Sequence, residues 1–169
     1  MATHHHLCSV VGGRVDVRRQ VSEAMALVSM LDHINHSVDD LEASVDWYHR
    51  LFGFEVVERG MVEDVGPWAI IQAGEALICM YQHPNREYKD RFELKELGIH
   101  HVAHIGLRVS DKQQWEQVIE EESVEVLYGG AVEMPHSISW YIKDPSGWEI
   151  EVAWWPEGKA DFTSLANTL

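Results

Sequence analysis

Cysteine is nearly missing from this chain, with Cys8 and Cys79 the only two in 169 residues. They cannot build a disulfide framework and lack the Cys-x-x-Cys spacing of a redox or zinc motif, so reduced thiols in a cytoplasmic setting are the expectation. Basic side chains are scarce as well. Thirteen Lys and Arg stand against 28 Asp and Glu, a formal net charge of −15. Such a surface repels phosphate backbones and anionic headgroups, so neither nucleic acid nor a membrane is expected as a partner, and a small-molecule ligand is. No apolar run approaches the roughly 18 residues of a membrane span. The first residues are polar, with a His4-His5-His6 run, and lack the apolar stretch of a secretory signal.

What is present is a core and a repeat. Hydrophobic residues make up 46% of the chain, enough for one packed domain at this length and too much for a disordered segment. The step that carries His33 to His104 also carries Ile34 to Ile105, Val38 to Val109 and Asp40 to Asp111. Each copy reads as a strand with a histidine near its start, then an N-cap aspartate and a helix. A similar step carries Gly74–Cys79 onto Ser146–Glu151 and Pro84 onto Pro156. Strands repeated in this way predict two similar halves.

In chain order, residues 1–29 lie outside the repeat. Val21, Ala24, Met25 and Val28 mark one amphipathic helix over Arg14–Met30, a helical extension that could pack over the domain edge or against a partner subunit. The first module, residues 30–83, reads as a strand over Leu31–Val38, a helix with Leu41, Val45, Tyr48 and Leu51 on one face and Gly53 at its end, then strands over Phe54–Glu58, Trp68–Ala73 and Ala76–Gln82. Residues 84–99 are charged and weakly periodic, a linker with room for one short helix. The second module, residues 100–156, reads as a strand over 100–109, a helix over 111–122 with Trp115, Val118 and Ile119 buried, and strands over 123–128, 136–142 and 148–154. Asp144-Pro145-Ser146-Gly147 is a strong turn signal. The Glu120-Glu121-Glu122 run reads as a solvated helix end, and the seven tryptophans mostly as packing. Residues 157–169 read as an irregular tail. The fold class is therefore α+β, built from paired βαβββ modules.

The segments Leu31-Asp32-His33-Ile34, Asp40-Leu41-Glu42-Ala43-Ser44, Trp47-Tyr48, Leu51-Phe52-Gly53-Phe54, His104–Val109 and Asp144–Glu151 resemble the vicinal oxygen chelate superfamily of glyoxalases, extradiol dioxygenases, fosfomycin-resistance enzymes and bleomycin-resistance proteins. The resemblance covers about residues 30–156. It implies a curled mixed sheet around a metal site, with ligands at the positions of His33, Cys79, His104 and Glu151. Cys79 departs from the pattern, because glyoxalase I carries a glutamate there that serves as ligand and base; a strand cysteine is more often a small core residue. The remaining set, His33, His104 and Glu151, is a two-His-one-carboxylate triad that leaves positions for substrate.

Each of these residues has a rival. His101 competes with His104, but alternation places it on the opposite face, and His33 stands as far from Val38 as His104 does from Val109. Glu149 shares a face with Glu151, and the repeat selects Glu151. On the strand before the turn, His136 and Trp140 share one face and Ser139 and Tyr141 the other. The resemblance to extradiol dioxygenases favours His136 as the acid/base candidate. The resemblance thus implies a divalent-metal-dependent enzyme acting on a small oxygenated substrate. Fe(II) dioxygenase chemistry is the first expectation. The alternatives are a Zn, Mn or Ni glyoxalase-like lyase or epimerase, and a non-catalytic drug-binding protein of the bleomycin-resistance kind. Family members commonly pair, so a homodimer is expected.

Overall fold

A computed structural model describes residues 27–162 of the chain. The chain divides into two units, residues 1–31 and 32–169, and among the described residues every strand belongs to the second. Most of the helix expected over Arg14–Met30 lies outside the described residues. Its last positions, Leu27–Met30, are irregular.

Two four-stranded mixed sheets make up the fold, as the repeat predicted, and they do not close into a barrel. The first runs in the order β1-β4-β3-β2, with β1 (Ile34–Val38) parallel to β4 (Ala76–Gln82), and β3 (Gly66–Ala73) antiparallel to both β4 and β2 (Glu55–Val62). The second repeats the order as β5-β8-β7-β6, from β5 (Ile105–Val109), β6 (Val132–Glu133), β7 (Ile138–Lys143) and β8 (Glu149–Trp154). Each module has one main helix. In α1 (Leu41–Phe52), Asp40 accepts the Ala43 N–H at 3.0 Å, and Gly53 ends the helix at φ 69°, a left-handed conformation that costs glycine little. A short α2 (Arg91–Glu96) occupies the linker behind an Asp90–Glu93 capping box. In α3 (Lys112–Glu121), Asp111 accepts the Gln114 N–H at 3.0 Å, so the first module's cap recurs at the equivalent aspartate.

β1 and β5 begin later than expected, at Ile34 and Ile105, and one expected strand is absent. Residues 123–128 form no strand, although Val124 and Val126 still pack against the core. Ser123 and Tyr128 both take positive φ (52° and 60°) and Gly129 and Gly130 follow with φ 83° and 125°, a run that breaks an extended chain. The outer strand of the second sheet shrinks to two residues as a result, where β2 has eight.

The helices cover one face of each sheet. Val38, Ile71, Ile78 and Met80 in the first module and Ile105, Ile142, Ile150 and Val152 in the second are buried there with Tyr48, Leu51, Trp115 and Trp140. Phe52 of α1 stacks on Trp115 of α3, with ring centroids 5.3 Å apart. A polar interlock ties the end of β1 to the β7–β8 turn: Trp148 Nε1 donates to the Ser37 carbonyl at 2.8 Å, and the Asp39 N–H donates to Ser146 Oγ at 2.9 Å. Asp144 accepts from the Ser146 and Trp148 amides and from the Tyr48 hydroxyl.

Between these parts His36 is buried, its two ring nitrogens without hydrogen-bond partners and Nε2 3.8 Å from Asp144. Burial lowers the His36 imidazole to about 4 and pushes the Asp144 carboxyl up to about 6. The two act on stability in opposite senses. As pH falls below about 6.5 the unfolded chain takes up the histidine proton first, so His36 subtracts stability in acid. The folded chain takes up the Asp144 proton first, so the aspartate's contribution is present in acid and is lost as pH rises through about 6. Between pH 4 and 6 they nearly cancel. With His36→Gln the Asp144 effect is uncovered: relative to wild type, the variant should gain on the order of 3 kcal/mol between pH 7 and pH 4, read by urea denaturation at each pH. Asp144→Asn should lose a similar amount over the same range.

Candidate metal centre

Strand alternation builds the site. Ile150 and Val152 point into the core of the second module, so Glu149 and Glu151 take the other face of β8. Ile105 turns inward at the start of β5, so His104 just before it turns toward the same open face. β5 and β8 run parallel with Gly106 opposite Glu151, which leaves room over the strand, and β7 sets Tyr141 opposite Glu151 on the other side. The result is a close pair, with His104 Nε2 2.9 Å from Glu151 Oε2. Ser139 Oγ donates to Glu151 Oε1 at 2.8 Å, and the Tyr141 ring meets the His104 ring edge-on at 5.6 Å. Burial first, then the charge of Glu151, pushes the Tyr141 phenol up to about 12, so it keeps its proton at neutral pH.

The two carboxylates of β8 have different surroundings. Glu149 is 2% exposed; Arg91 Nη1 donates to its Oε1 at 2.5 Å and the Tyr128 hydroxyl to its Oε2 at 2.7 Å. Its charge is matched inside the protein. Glu151 is less buried and faces an imidazole, so of the two carboxylates it is the one without an internal cation.

The pair fits two corners of a divalent site. Two ligand atoms each about 2.1 Å from one ion stand about 3.0 Å apart at the right angle of an octahedral site, close to the observed 2.9 Å, and about 3.4 Å apart at the tetrahedral angle of a zinc site. Imidazole and carboxylate are donors that Zn, Mn and Fe(II) all accept. His33 is not with them. It precedes β1 in the first module, exposed, with Nδ1 2.7 Å from Asp32 Oδ2. Among the described residues, no group of three His, Cys, Asp or Glu side chains is placed to hold an ion.

His136 lies in the exposed β6–β7 connection and not on β7, which begins at Ile138. The expected strand start at 136 is thus corrected, and the polar side chains that β7 turns toward Glu151 are Ser139 and Tyr141. Counting outward from the Asp144–Gly147 turn would have found them, since the antiparallel register pairs Tyr141 with Glu151. Arg91 carried no comparable signal in the linker. Its role depends on where α2 docks: Asp90 accepts from Lys143 Nζ at 2.7 Å, and a Cβ on Gly147 would come within 3.3 Å of the Asp90 Cβ. His101 donates to the Ile99 carbonyl at 3.0 Å. Cys79 lies opposite Asn35 on the first sheet, its thiol raised by burial and then by the Asp32 charge. A separate cavity of about 470 Å³ opens between the end of α1, β5 and the start of α3, and contains none of the proposed ligands.

The family described as Glyoxalase/Bleomycin resistance protein/Dioxygenase superfamily matches residues 30–152. Metallothiol transferase FosB of Staphylococcus epidermidis is 27% identical over 127 residues, covering 74% of this chain and 81% of that protein. A glyoxylase/bleomycin resistance protein/dioxygenase domain from Frankia sp. EAN1pec superposes with a TM-score of 0.64 at 18% identity, over 78% of this chain and 96% of its own. The fosfomycin resistance protein FosX of Listeria monocytogenes, in a structure complexed with Mn(II) and 1S,2S-dihydroxypropylphosphonic acid, superposes with a TM-score of 0.61 at 14% identity, over 83% of this chain and 99% of its own. These two structures share the fold.

The contrast between the clamped and the exposed side chains can be measured. Arg91→Ala leaves the buried Glu149 carboxylate short of its cation and should cost roughly 2–3 kcal/mol, less than a fully buried pair because water reaches Arg91. His136→Ala should stay within about 0.5 kcal/mol of wild type. Urea denaturation at pH 7 reads both.

Proposed function

The chain belongs to the Glyoxalase/Bleomycin resistance protein/Dioxygenase superfamily, and on that footing we propose that it is a divalent-metal-dependent enzyme acting on a small oxygenated substrate, with His33, His104 and Glu151 as the ligands. The observation that carries this reading is the His104–Glu151 pair, two metal-type donors 2.9 Å apart on an open sheet face. A bound divalent ion supplies Lewis acidity, lowering the cost of negative charge that develops on a substrate oxygen. Ser139 holds the Glu151 carboxylate in place. The Tyr141 hydroxyl, hydrogen-bonded to Glu151, helps hold that carboxylate beside His104.

His33 reaches the pair from a second copy of the chain in this reading. β1 and β5 are both outer strands of their sheets, so an edge is open beside each histidine for another copy to join. A homodimer would therefore hold two sites, each drawing His33 from one copy and His104 with Glu151 from the other. Lewis-acid chemistry with Mn(II) or Zn(II) is the preferred form of the reaction, supported by the similarity to a metallothiol transferase and by the Mn(II)-bound FosX fold. Fe(II) oxygenation is the second reading, favoured by the two-His-one-carboxylate donor set.

Metal content by elemental analysis tests the ligands. Wild type and His101→Ala should carry about one ion per chain after loading with Mn(II) or Zn(II), and His104→Ala and Glu151→Ala should carry almost none; equal content in all four would reject the site. Mixing equal amounts of inactive His33→Ala and inactive His104→Ala should restore about a quarter of wild-type activity after full subunit exchange, since half of the dimers are then mixed and one of the two sites in each regains all its ligands. Absence of any recovery after subunit exchange would show that His33 does not act across two copies. Activity is read with an added thiol and an epoxide-bearing phosphonate such as fosfomycin, and with oxygen uptake on catechols for the Fe(II) reading. Oxygen uptake alone would overturn the preferred form.

A further inference from the structure

Glu149 is a buried carboxylate that the proposed reaction leaves without a role. Its Oε1 lies 3.7 Å from His104 Nδ1, on the opposite side of the ring from Glu151. That nitrogen is buried without a hydrogen-bond partner. Two features hold the carboxylate beside it. Arg91 comes from α2 in the linker and Tyr128 from the turn after α3, and each takes one oxygen of Glu149. Tyr128 does so from a left-handed backbone conformation, φ 60° and ψ 18°, which is uncommon for an aromatic residue. Its ring is fixed against Phe92 of α2 and Tyr141 of β7, with centroids 6.3 and 5.3 Å away.

A carboxylate has about four acceptor positions, and the structure fills two of those on Glu149. An imidazole that binds an ion through Nε2 carries its proton on Nδ1, and at a buried Nδ1 that water does not reach this proton needs an acceptor from the protein. Glu149 is the acceptor at hand. We propose that Glu149, clamped by Arg91 and Tyr128, is the positioning residue that receives the Nδ1–H of His104 and so aims the Nε2 lone pair at the ion held with Glu151. This rests on the metal-site reading and adds to it a dependence of ion affinity on the linker between the modules. The linker reaches the centre through Arg91 without contributing a ligand.

The test uses the full-length protein loaded with Zn(II), comparing wild type, Glu149→Gln and Tyr128→Phe. Chelator competition gives the ion affinity, and the downfield proton resonance of His104 Nδ1–H, assigned by its absence in His104→Ala, reports the hydrogen bond directly. Glu149→Gln should weaken Zn(II) binding by about 10- to 100-fold and move the resonance upfield; Tyr128→Phe should shift both in the same direction by less. A folded Glu149→Gln with wild-type affinity and an unmoved resonance overturns the inference while leaving the metal site standing. Should Glu149→Gln fail to fold, Tyr128→Phe decides, with an unchanged affinity and resonance again overturning it. A wild-type protein that binds no Zn(II) or Mn(II) sinks the metal site and this inference together.

Discussion

The constraint on which the site depends is the two-residue period of β8. Ile150 and Val152 are fully buried against the helices, and a strand that commits those positions to the core has to present Glu149 and Glu151 on its other face. A one-residue slip would bury both carboxylates among aliphatic side chains, at a desolvation cost the module could not bear. The hydrophobic core therefore holds the register that sets Glu151 beside His104. The parallel pairing with β5 does the rest, since Gly106 opposite Glu151 leaves space above the strand for the imidazole that precedes it.

Two glutamates two residues apart on one strand would repel each other if both faced the same space. The structure separates their duties by giving Glu149 a guanidinium and a phenol, and Glu151 an imidazole and a serine hydroxyl. In a chain with a formal charge of −15, placing a scarce arginine against a buried carboxylate lowers the local negative charge next to a site proposed to bind oxygen-bearing substrates. The linker carries that arginine, so the charged stretch between the modules shapes the electrostatics of the second.

The modules are joined through groups that are polar and buried. Trp148, Ser146 and Asp144 from the β7–β8 turn reach the end of β1 and α1, and His36 fills the space between them without a hydrogen bond of its own. Such an interface fixes geometry more than it adds stability, because desolvating His36 and Asp144 offsets much of what the hydrogen bonds contribute. It lies on the helical side of the sheets. The open faces that carry His104 and Glu151 are left uncovered by it.

Much of the fold was legible in the sequence because its signals are local. The Asp40 and Asp111 caps, Gly53, the Asp144–Gly147 turn and the alternation of β4 and β8 each act within a few residues, and the recurrence of the caps and of the last strands at nearly equal steps exposed the paired modules. The same spacing singled out His104 over His101 and Glu151 over Glu149 as the ligands proposed above. Local patterning misled at residues 123–128, where Val124 and Val126 alternate as a strand does while the positive φ angles of Ser123 and Tyr128 turn the chain away. It misled also at β7, where Tyr141, and not His136, faces Glu151. Side-chain chemistry and strand period were thus determined by the sequence on its own: which residues cap, which turn and which carboxylates share a face. Only the tertiary structure decided that Arg91 and Tyr128 occupy Glu149 and that His33 stands apart from His104, because those relations join segments far apart along the chain, through contacts that leave no periodic trace in it.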